Sequence, residues 1–418
     1  MIDKLIVKSF KSLRSINLTP QNVNLVIGAN GTGKSNFADV FEFVSYCLRY
    51  GLKEAVDKFN GLDEIRAKKT GSGRPYTFHI EVHLGQDTWR GIKSAVYSFS
   101  LAQTKGLAIE SEHLEASVYP RSSGHPTREG GPNYDFENPV QIQFARKGDK
   151  LTTHTKDIPF IFPEQLDDSQ TLFLSSYGKF GPLRTIADYL ASFRVYNIDA
   201  VLGKRATNGG DQELSRYGEN LVMFLRRVLS IPSTNNQLLS DLREAVPYIK
   251  SIVPDKIFTM PTLKFLEADS NLELFAPQMS DGTVRLLGLL AVLHQKVPPA
   301  VIAVEEPENA LHAYAVDVFL RIAAKASIRD RFPIQVFLTS HSPWLVDGVL
   351  GLDFPAHNKT KGFVSKRVKA ASTIEQAPVE VIKGISKNLG RPSDYLREGS
   401  FGDRPGQLAL DIKREGQQ

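Results

Sequence analysis

Eight consecutive residues, Gly28-Ala29-Asn30-Gly31-Thr32-Gly33-Lys34-Ser35, have the types and spacing that can hold a triphosphate. Glycines at 28, 31 and 33 allow backbone angles closed to other residues, so successive N–H groups can converge on one anion. Lys34 can neutralise the β- and γ-phosphates, and the Ser35 hydroxyl can ligate Mg2+. Asn30, Gly31, Thr32, Gly33 and Asn36 are expected to complete the nucleotide contacts around them.

Two further segments carry chemistry. Val301-Ile302-Ala303-Val304 is an apolar run that ends in Glu305 and Glu306. A carboxylate there can hold the Mg2+ hydration shell, which assigns Glu305 to the metal, while Glu306 can orient or deprotonate an attacking water. Paired carboxylates at the end of a buried strand are costly unless a cation meets them. Phe332 to Thr339, with Ile334, Val336, Phe337 and Leu338, reads as another buried strand, and it leads to Ser340-His341. An imidazole at His341 can donate to a γ-phosphate. Upstream, Ser280 is a good N-cap with Asp281 in the first turn and Gly282 behind it. Taken alone, this is an ordinary capped core helix; its place just before the paired glutamates gives it weight.

These groups need strands that end where they begin. Val23 to Ile27 reads as a buried strand running into the glycine loop, and Phe37, Val40, Phe41 and Val44 then return at helical spacing to about Tyr50. In an open α/β sheet, ligands bind beyond the carboxyl ends of the strands, the position expected for Glu305 and Glu306. Ile2 to Phe10, Thr77 to Leu84, Ala95 to Leu101, Leu114 to Tyr119 and Val140 to Phe144 read as further strands, with an antiparallel sheet the economical arrangement. Gly61 to Arg66 reads as a polar connector, and Gly203 to Asp211 as a loop. Helical faces follow Pro182: Leu183, Ile186, Tyr189 and Leu190, then Leu221, Phe224, Leu225 and Val228, then Leu238 to Val246. Leu263 to Leu274 returns to strand. The expected division is an α/β core of residues 1–84 and 262–363, a β-rich lobe at 85–181 with an exposed loop at 120–139, a helical lobe at 182–261, and a basic, partly disordered tail at 364–418.

Composition narrows the class. The 51 basic and 46 acidic residues leave a net charge of +5, too mild to imply nucleic acid by itself. Doublets such as Lys68-Lys69, Arg226-Arg227 and Lys366-Arg367 could touch phosphates or simply face solvent. A single cysteine, Cys47, excludes an intramolecular disulfide framework and a cysteine-rich zinc site. No apolar stretch reaches membrane-spanning length and no signal-peptide pattern opens the chain, so a cytoplasmic protein without a membrane partner is expected. No repeat or sustained heptad pattern appears, so no long coiled coil is encoded.

Taken together and in this order, the segments resemble the ABC-type ATPase heads of the RecF, SMC and OLD-like group, and especially the stand-alone RecF-like AAA-family ATPases of bacteria. Gly28 to Ser35 looks like Walker A, Met279 to Thr283 like the signature motif in its S-D-G form, and Val301 to Glu306 like Walker B. Pro307 to His312 looks like the D-loop region and His341 like the switch histidine. Leu5 to Ser12 and Tyr217 to Leu221 also look like that group, and by this likeness Lys11 is expected to touch nucleotide. One departure is Glu305, where the group carries Asp. Another is the Q-loop glutamine, for which Gln103, Gln141 and Gln143 offer no clear choice.

The resemblance implies a P-loop fold of the ABC-head type: a mixed sheet core, an antiparallel β lobe and a helical lobe bearing the signature. It implies ATP and Mg2+ as ligands, with Lys34, Glu306 and His341 catalytic. It further implies a homodimer in which Ser280, Asp281 and Gly282 close in trans on the ATP of another copy, assembly beyond the dimer being left open. ATP would close the heads and hydrolysis open them. After His341 the chain is too short and too poor in acidic clusters for an appended nuclease domain. The expected role is therefore a DNA-linked switch that drives a separately encoded effector such as a nuclease, in anti-phage defence or DNA repair. The rivals are an ATP-dependent assembly scaffold with little turnover and the nucleotide-binding subunit of a membrane transporter.

Overall fold

The structure is a computed structural model that describes residues 1–67, 78–102, 106–121, 133–153, 169–205, 213–350, 359–368 and 371–377. The chain opens with strands β1 (Ile2–Phe10) and β2 (Leu13–Leu18), an antiparallel pair whose inward residues alternate with polar ones. β3 (Val23–Ile27) is buried on both faces, as its continuous apolar run requires. The helix α1 (Lys34–Tyr50) follows the glycine loop and presses Phe37, Phe41 and Val44 onto the sheet. The polar connector at 61–66 is instead a short helical turn. α2 (Leu52–Lys58) and α3 (Leu62–Ile65) each start at a glycine of positive φ, Gly51 and Gly61, and bury Leu52 and Ile65.

β4 (Phe78–Leu84), β5 (Ile92–Leu101), β6 (Ile109–Val118), β7 (Val140–Lys147) and β8 (Lys150–Thr153) form an antiparallel meander. Residues 85–181 were expected to stand as a lobe of their own. β5 instead pairs with β4, which pairs with β1, so the meander extends the same sheet that carries the glycine loop. Of the expected loop at 120–139, residues 122–132 lie outside the described residues, while Arg121 and Tyr134 on its flanks form an isolated bridge.

α4 (Phe173–Tyr177) and α5 (Leu183–Ala191) pack against α1, and β9 (Arg194–Tyr196) joins the sheet. Residues 182–196 thus belong to the core. The second lobe is built from α6 (Ala200–Gly203), α7 (Leu221–Leu229), α8 (Pro232–Ala245), a separate sheet of β10 (Ile249–Ile257), β11 (Met260–Glu267) and β12 (Glu273–Phe275), and α9 (Asp281–Leu293). Residues 262–275, expected in the core, pair only within that separate sheet. Their apolar side chains Leu263 and Phe265 face the lobe helices. Most of the expected loop at 203–211 lies outside the described residues.

β13 (Val301–Glu305), α10 (Ala313–Ile328), β14 (Gln335–Ser340) and α11 (Pro343–Leu350) complete the α/β part. The basic tail expected from residue 364 begins instead as a hairpin of β15 (Thr360–Val368) and β16 (Ala371–Gln376) inside the sheet. Phe363, Val364 and Ile374 are buried there, and residues 369–370 and 378–418 of that tail lie outside the described residues.

Among the described residues thirteen strands make one sheet, ordered β8-β7-β6-β5-β4-β1-β2-β16-β15-β3-β14-β13-β9. β15, β3, β14, β13 and β9 run parallel. Their alternate residues feed two cores: Ile27, Leu338 and Val304 face α9 and α10, whereas Val26, Phe337 and Ala303 face α1. The Phe41 and Phe337 rings lie 4.7 Å apart at centroid, and each such buried ring is worth about 1.5–3 kcal/mol. This packing fixes α1 against β14, and it brings the carboxyl ends of β3, β14, β13 and β9 into one row. No helix among the described residues is long and apolar enough to cross a membrane.

Candidate active site

The loop after β3 has the geometry its glycines allow. Gly31 and Gly33 have φ of 79° and 103°, and Gly33 caps α1 in the left-handed region. A Cβ at Gly33 would lie 2.6 Å from the Ser372 hydroxyl, so the close approach of β16 also demands glycine. Lys34 Nζ donates to the carbonyls of Gly28 at 2.7 Å and Ala29 at 3.0 Å, curling the ammonium back into the loop. Burial pulls the Lys34 ammonium below its ordinary range, opposed by the carboxylates of Glu306 and Glu308. Thr32 Oγ1 donates to the Ala29 carbonyl, and Asn36 Nδ2 to the Ser12 hydroxyl. Asn30 and Ser35 are exposed at the loop's mouth.

The C-terminal hairpin, invisible to sequence reasoning as part of the site, braces this loop. Ser365 Oγ donates to the Thr32 carbonyl, Arg367 reaches the Gly31 carbonyl, and Ser372 Oγ bonds Ser12 Oγ at 2.8 Å. β15 runs past the end of β3, which is why residues 365–367 meet the loop.

Ser35 and Glu305 line one cleft of about 790 Å³ with Lys11. Their oxygens are hard donors of the kind Mg2+ takes, so the residues present fit that ion. Glu305, 4% exposed, is met by the Arg216 guanidinium, which also donates to Asp39 and Glu42, both at 2.6 Å. The cation required beside a buried Glu305 is therefore supplied by the chain itself. Burial opposes the charge on Arg216, but Glu305, Asp39 and Glu42 overcome it and raise its pKa. Lys11 bonds Asp39 and lies 4.7 Å from the Phe59 ring centroid, and it lines the cleft.

Glu306 holds a φ of 45°, a left-handed conformation that a non-glycine residue adopts at a cost of about 1–3 kcal/mol. Its N–H donates to the Thr339 carbonyl of β14, and its carboxylate accepts from Asn309 Nδ2 at 2.8 Å. The other carboxylate oxygen lies 3.1 Å from His341 Nδ1. The turn thus aims Glu306 across to the histidine that ends the neighbouring strand. Beneath it, the buried Arg285 of α9 donates to the carbonyls of Ile198, Glu305 and Glu306, tying the helix behind Ser280 to the end of β13. Glu308, a further carboxylate of this turn, accepts from Ser340 Oγ and keeps one buried oxygen without a partner.

Ser280 caps α9 as its sequence demands, accepting from the Thr283 N–H at 3.2 Å. Ser280 and Asp281 are exposed, and Asp281 pairs with Lys204. A Cβ at Gly282 would lie 2.7 Å from the Ala310 carbonyl, so this glycine permits α9 to sit on the turn after Glu306. The three signature residues do not line the cleft that holds Ser35 and Glu305.

The structure thus gathers Lys11, Ser35 and Glu305 in one cleft, and Glu306 with His341 beside it, and leaves Ser280 to Gly282 facing outward. Sequence reasoning missed Asp39 and Glu42, although carboxylates four and seven residues after Ser35 share its face of α1. It also missed Arg216, one residue before the motif at 217–221, and Arg285, a lone cation in an apolar helix. Of the glutamines considered for the Q-loop, Gln103 lies outside the described residues, and Gln141 and Gln143 are exposed on β7. Asn197, at the carboxyl end of β9, lines the cleft instead.

The sequence profile described as "AAA domain, putative AbiEii toxin, Type IV TA system" matches residues 135–347, about half of the chain, a stretch that carries Ser280, Glu305, Glu306 and His341. No curated protein matches. Among solved structures, an SMC head bound to the C-winged helix domain of ScpA has 13% identity and a TM-score of 0.52, covering 91% of this chain and 98% of its own. The SMC head domain with an extended coiled coil, bound to the C-terminal domain of ScpA derived from Pyrococcus furiosus, has 12% identity and a TM-score of 0.53, covering 93% and 99%. The fold is that of the SMC-type ATPase heads.

Proposed function

We propose that this chain, which belongs to the AAA-domain family matched over residues 135–347, is an ATP-binding and ATP-hydrolysing head that closes on a second copy. One observation carries it. The glycine loop, Glu305, Glu306 and His341 stand in a row at the ends of the adjacent strands β3, β13 and β14, and Glu306 and His341 are already hydrogen-bonded.

In this reading the loop N–H groups, the α1 N-terminus and Lys34 hold the phosphates. Ser35 and Glu305 would hold Mg2+, which when bound would neutralise charge on the phosphates. Glu306 accepts the proton of a water that attacks the γ-phosphorus as the bond to the β-phosphate oxygen breaks. His341 keeps Glu306 oriented and donates to the γ-phosphate. His341→Ala is expected to lower turnover by about tenfold to a hundredfold while nucleotide affinity stays the same, as for loss of a hydrogen bond of about 1.5–3 kcal/mol to a charged group in the transition state. Rapid-quench turnover beside equilibrium titration checks this, and equal turnover would return His341 to a strand-end residue.

The outward-facing Ser280 N-terminus supports a trans contact, since its N–H groups suit the γ-phosphate of another copy. Ser280→Arg should leave ATP binding by the single chain intact and abolish ATP-dependent dimers in sedimentation. The lost cap costs about 0.5–2 kcal/mol, measurable as a small drop in melting temperature. A variant that still dimerises on ATP would remove Ser280 from the trans site.

The finer role we propose is a DNA-linked switch for a separately encoded partner. It is supported by the fold shared with SMC heads, which in the structures named above carry a bound ScpA domain, and by the lack of an encoded coiled coil. Turnover measured with and without double-stranded DNA tests this: stimulation favours the DNA switch. Equal turnover, together with ATP-dependent partner assembly that survives Glu306→Gln, favours a scaffold.

A further inference from the structure

Arg216 is the least expected member of the site. Its guanidinium spends one nitrogen on Asp39 and Glu42 and another on Glu305, while its Nε is buried without a partner. Asp39 and Glu42 belong to α1, the helix of the glycine loop, and Glu305 ends β13, so one side chain clamps the two elements that would flank a nucleotide's metal.

Its backbone runs from the end of β9 in the core toward the second lobe. Residues 213–220 form a loop leading into α7 of the second lobe. The Arg216 and Tyr217 carbonyls accept from Asn197 and Asp199, and Asn220 closes the loop by accepting from the Ser215 N–H and donating to the Glu213 carbonyl. Leu221, at the start of α7, packs where Gly288 of the Ser280 helix leaves room for it. The clamp is thus continuous, through Leu221, with the helix that presents Ser280.

A guanidinium and a divalent ion on the same Glu305 carboxylate repel each other, most strongly where burial removes water. We propose that Arg216 is the built-in counter-cation of the metal side, and that Mg2+ arriving with nucleotide displaces it from Glu305 and loosens loop 213–220 from the core. This rests on the ATP-binding reading above and adds to it a route from metal loading to the second lobe. Arg216 acts here as a positioning residue, not a catalytic one.

Hydrogen exchange on the full chain tests it, with peptides covering 213–220 followed without ligand, with a non-hydrolysable ATP analogue plus EDTA, and with the analogue plus Mg2+. Exchange in that loop should rise only in the third condition. In Arg216→Gln it should already be raised without ligand, and the free Mg2+ needed for half-maximal binding of a fluorescent ATP analogue should fall by about tenfold, as expected when a competing charge is removed. Arg216→Lys keeps the charge but cannot fork to three carboxylates, so its midpoint should lie between the two. Should the glutamine variant fail to fold, the lysine variant and the wild-type exchange still decide. Loop exchange that is unchanged or lower with Mg2+ and analogue, or a Mg2+ midpoint that stays or rises in the variants, would overturn the proposal. A wild-type chain that binds no nucleotide at all would instead overturn the ATP-binding reading.

Discussion

Glu306→Gln is expected to hold ATP as tightly as the wild type and to turn it over about 10²–10⁴-fold more slowly, the usual range for a positioned general base. The substitution is nearly isosteric. The amide can keep its place by Asn309 and His341, the two groups that fix the carboxylate at 2.8 and 3.1 Å. What it loses is the capacity to accept a proton from water. The strained backbone at Glu306 supports the assignment. Its φ of 45° is fixed by the bond to the Thr339 carbonyl, which turns the side chain toward Asn309 and His341. Single-turnover hydrolysis with a parallel binding titration reads both quantities. ATP should accumulate on the variant and shift it toward dimers in sedimentation; unchanged steady-state hydrolysis would remove Glu306 from the chemistry.

Lys34→Ala should have the larger effect on binding. With nucleotide present, the ammonium that now bonds the Gly28 and Ala29 carbonyls would turn to phosphate oxygens. Losing two charge-assisted contacts of about 1.5–3 kcal/mol each weakens affinity by about 10²–10⁴-fold. Burial and the nearby Glu306 and Glu308 make the effect one-sided, since the variant leaves those carboxylates to repel the incoming phosphates. A titration with a fluorescent ATP analogue checks it, with a melting curve to show that the chain still folds. Tight binding retained by the variant would refute the phosphate role of the loop.

How much of this was legible in the sequence follows from the range of each interaction. The glycine loop, the strand before it and the helix after it lie within one continuous stretch, and the same holds for the capped helix at Ser280 and for Glu305 and Glu306 at the end of β13. Local rules suffice for all of them. Arg216 could not be found that way, because its partners lie at 39, 42 and 305 and only the folded sheet brings them together. The hairpin of β15 and β16 read as a basic tail for a related reason. Part of what it touches is the polar backbone of the glycine loop, so Ser365, Arg367 and Ser372 carry no apolar periodicity. β11 and β12 were recognised as strands, but a strand does not announce which sheet it joins. The fold shared with SMC heads was foreseen from the order of the motifs. The contacts that link one lobe to the other were not.

The account centres on a site completed by two copies of the chain. Lys34→Ala removes the phosphate cradle, and Ser280→Arg removes the closing helix. Each variant alone should therefore hydrolyse almost no ATP. Mixed in equal amounts, they can form dimers in which the intact cradle of one copy meets the intact Ser280 of the other. The account predicts that the mixture hydrolyses ATP at a rate clearly above the sum of the two variants alone. A mixture no more active than that sum, from proteins shown to be folded, would contradict it.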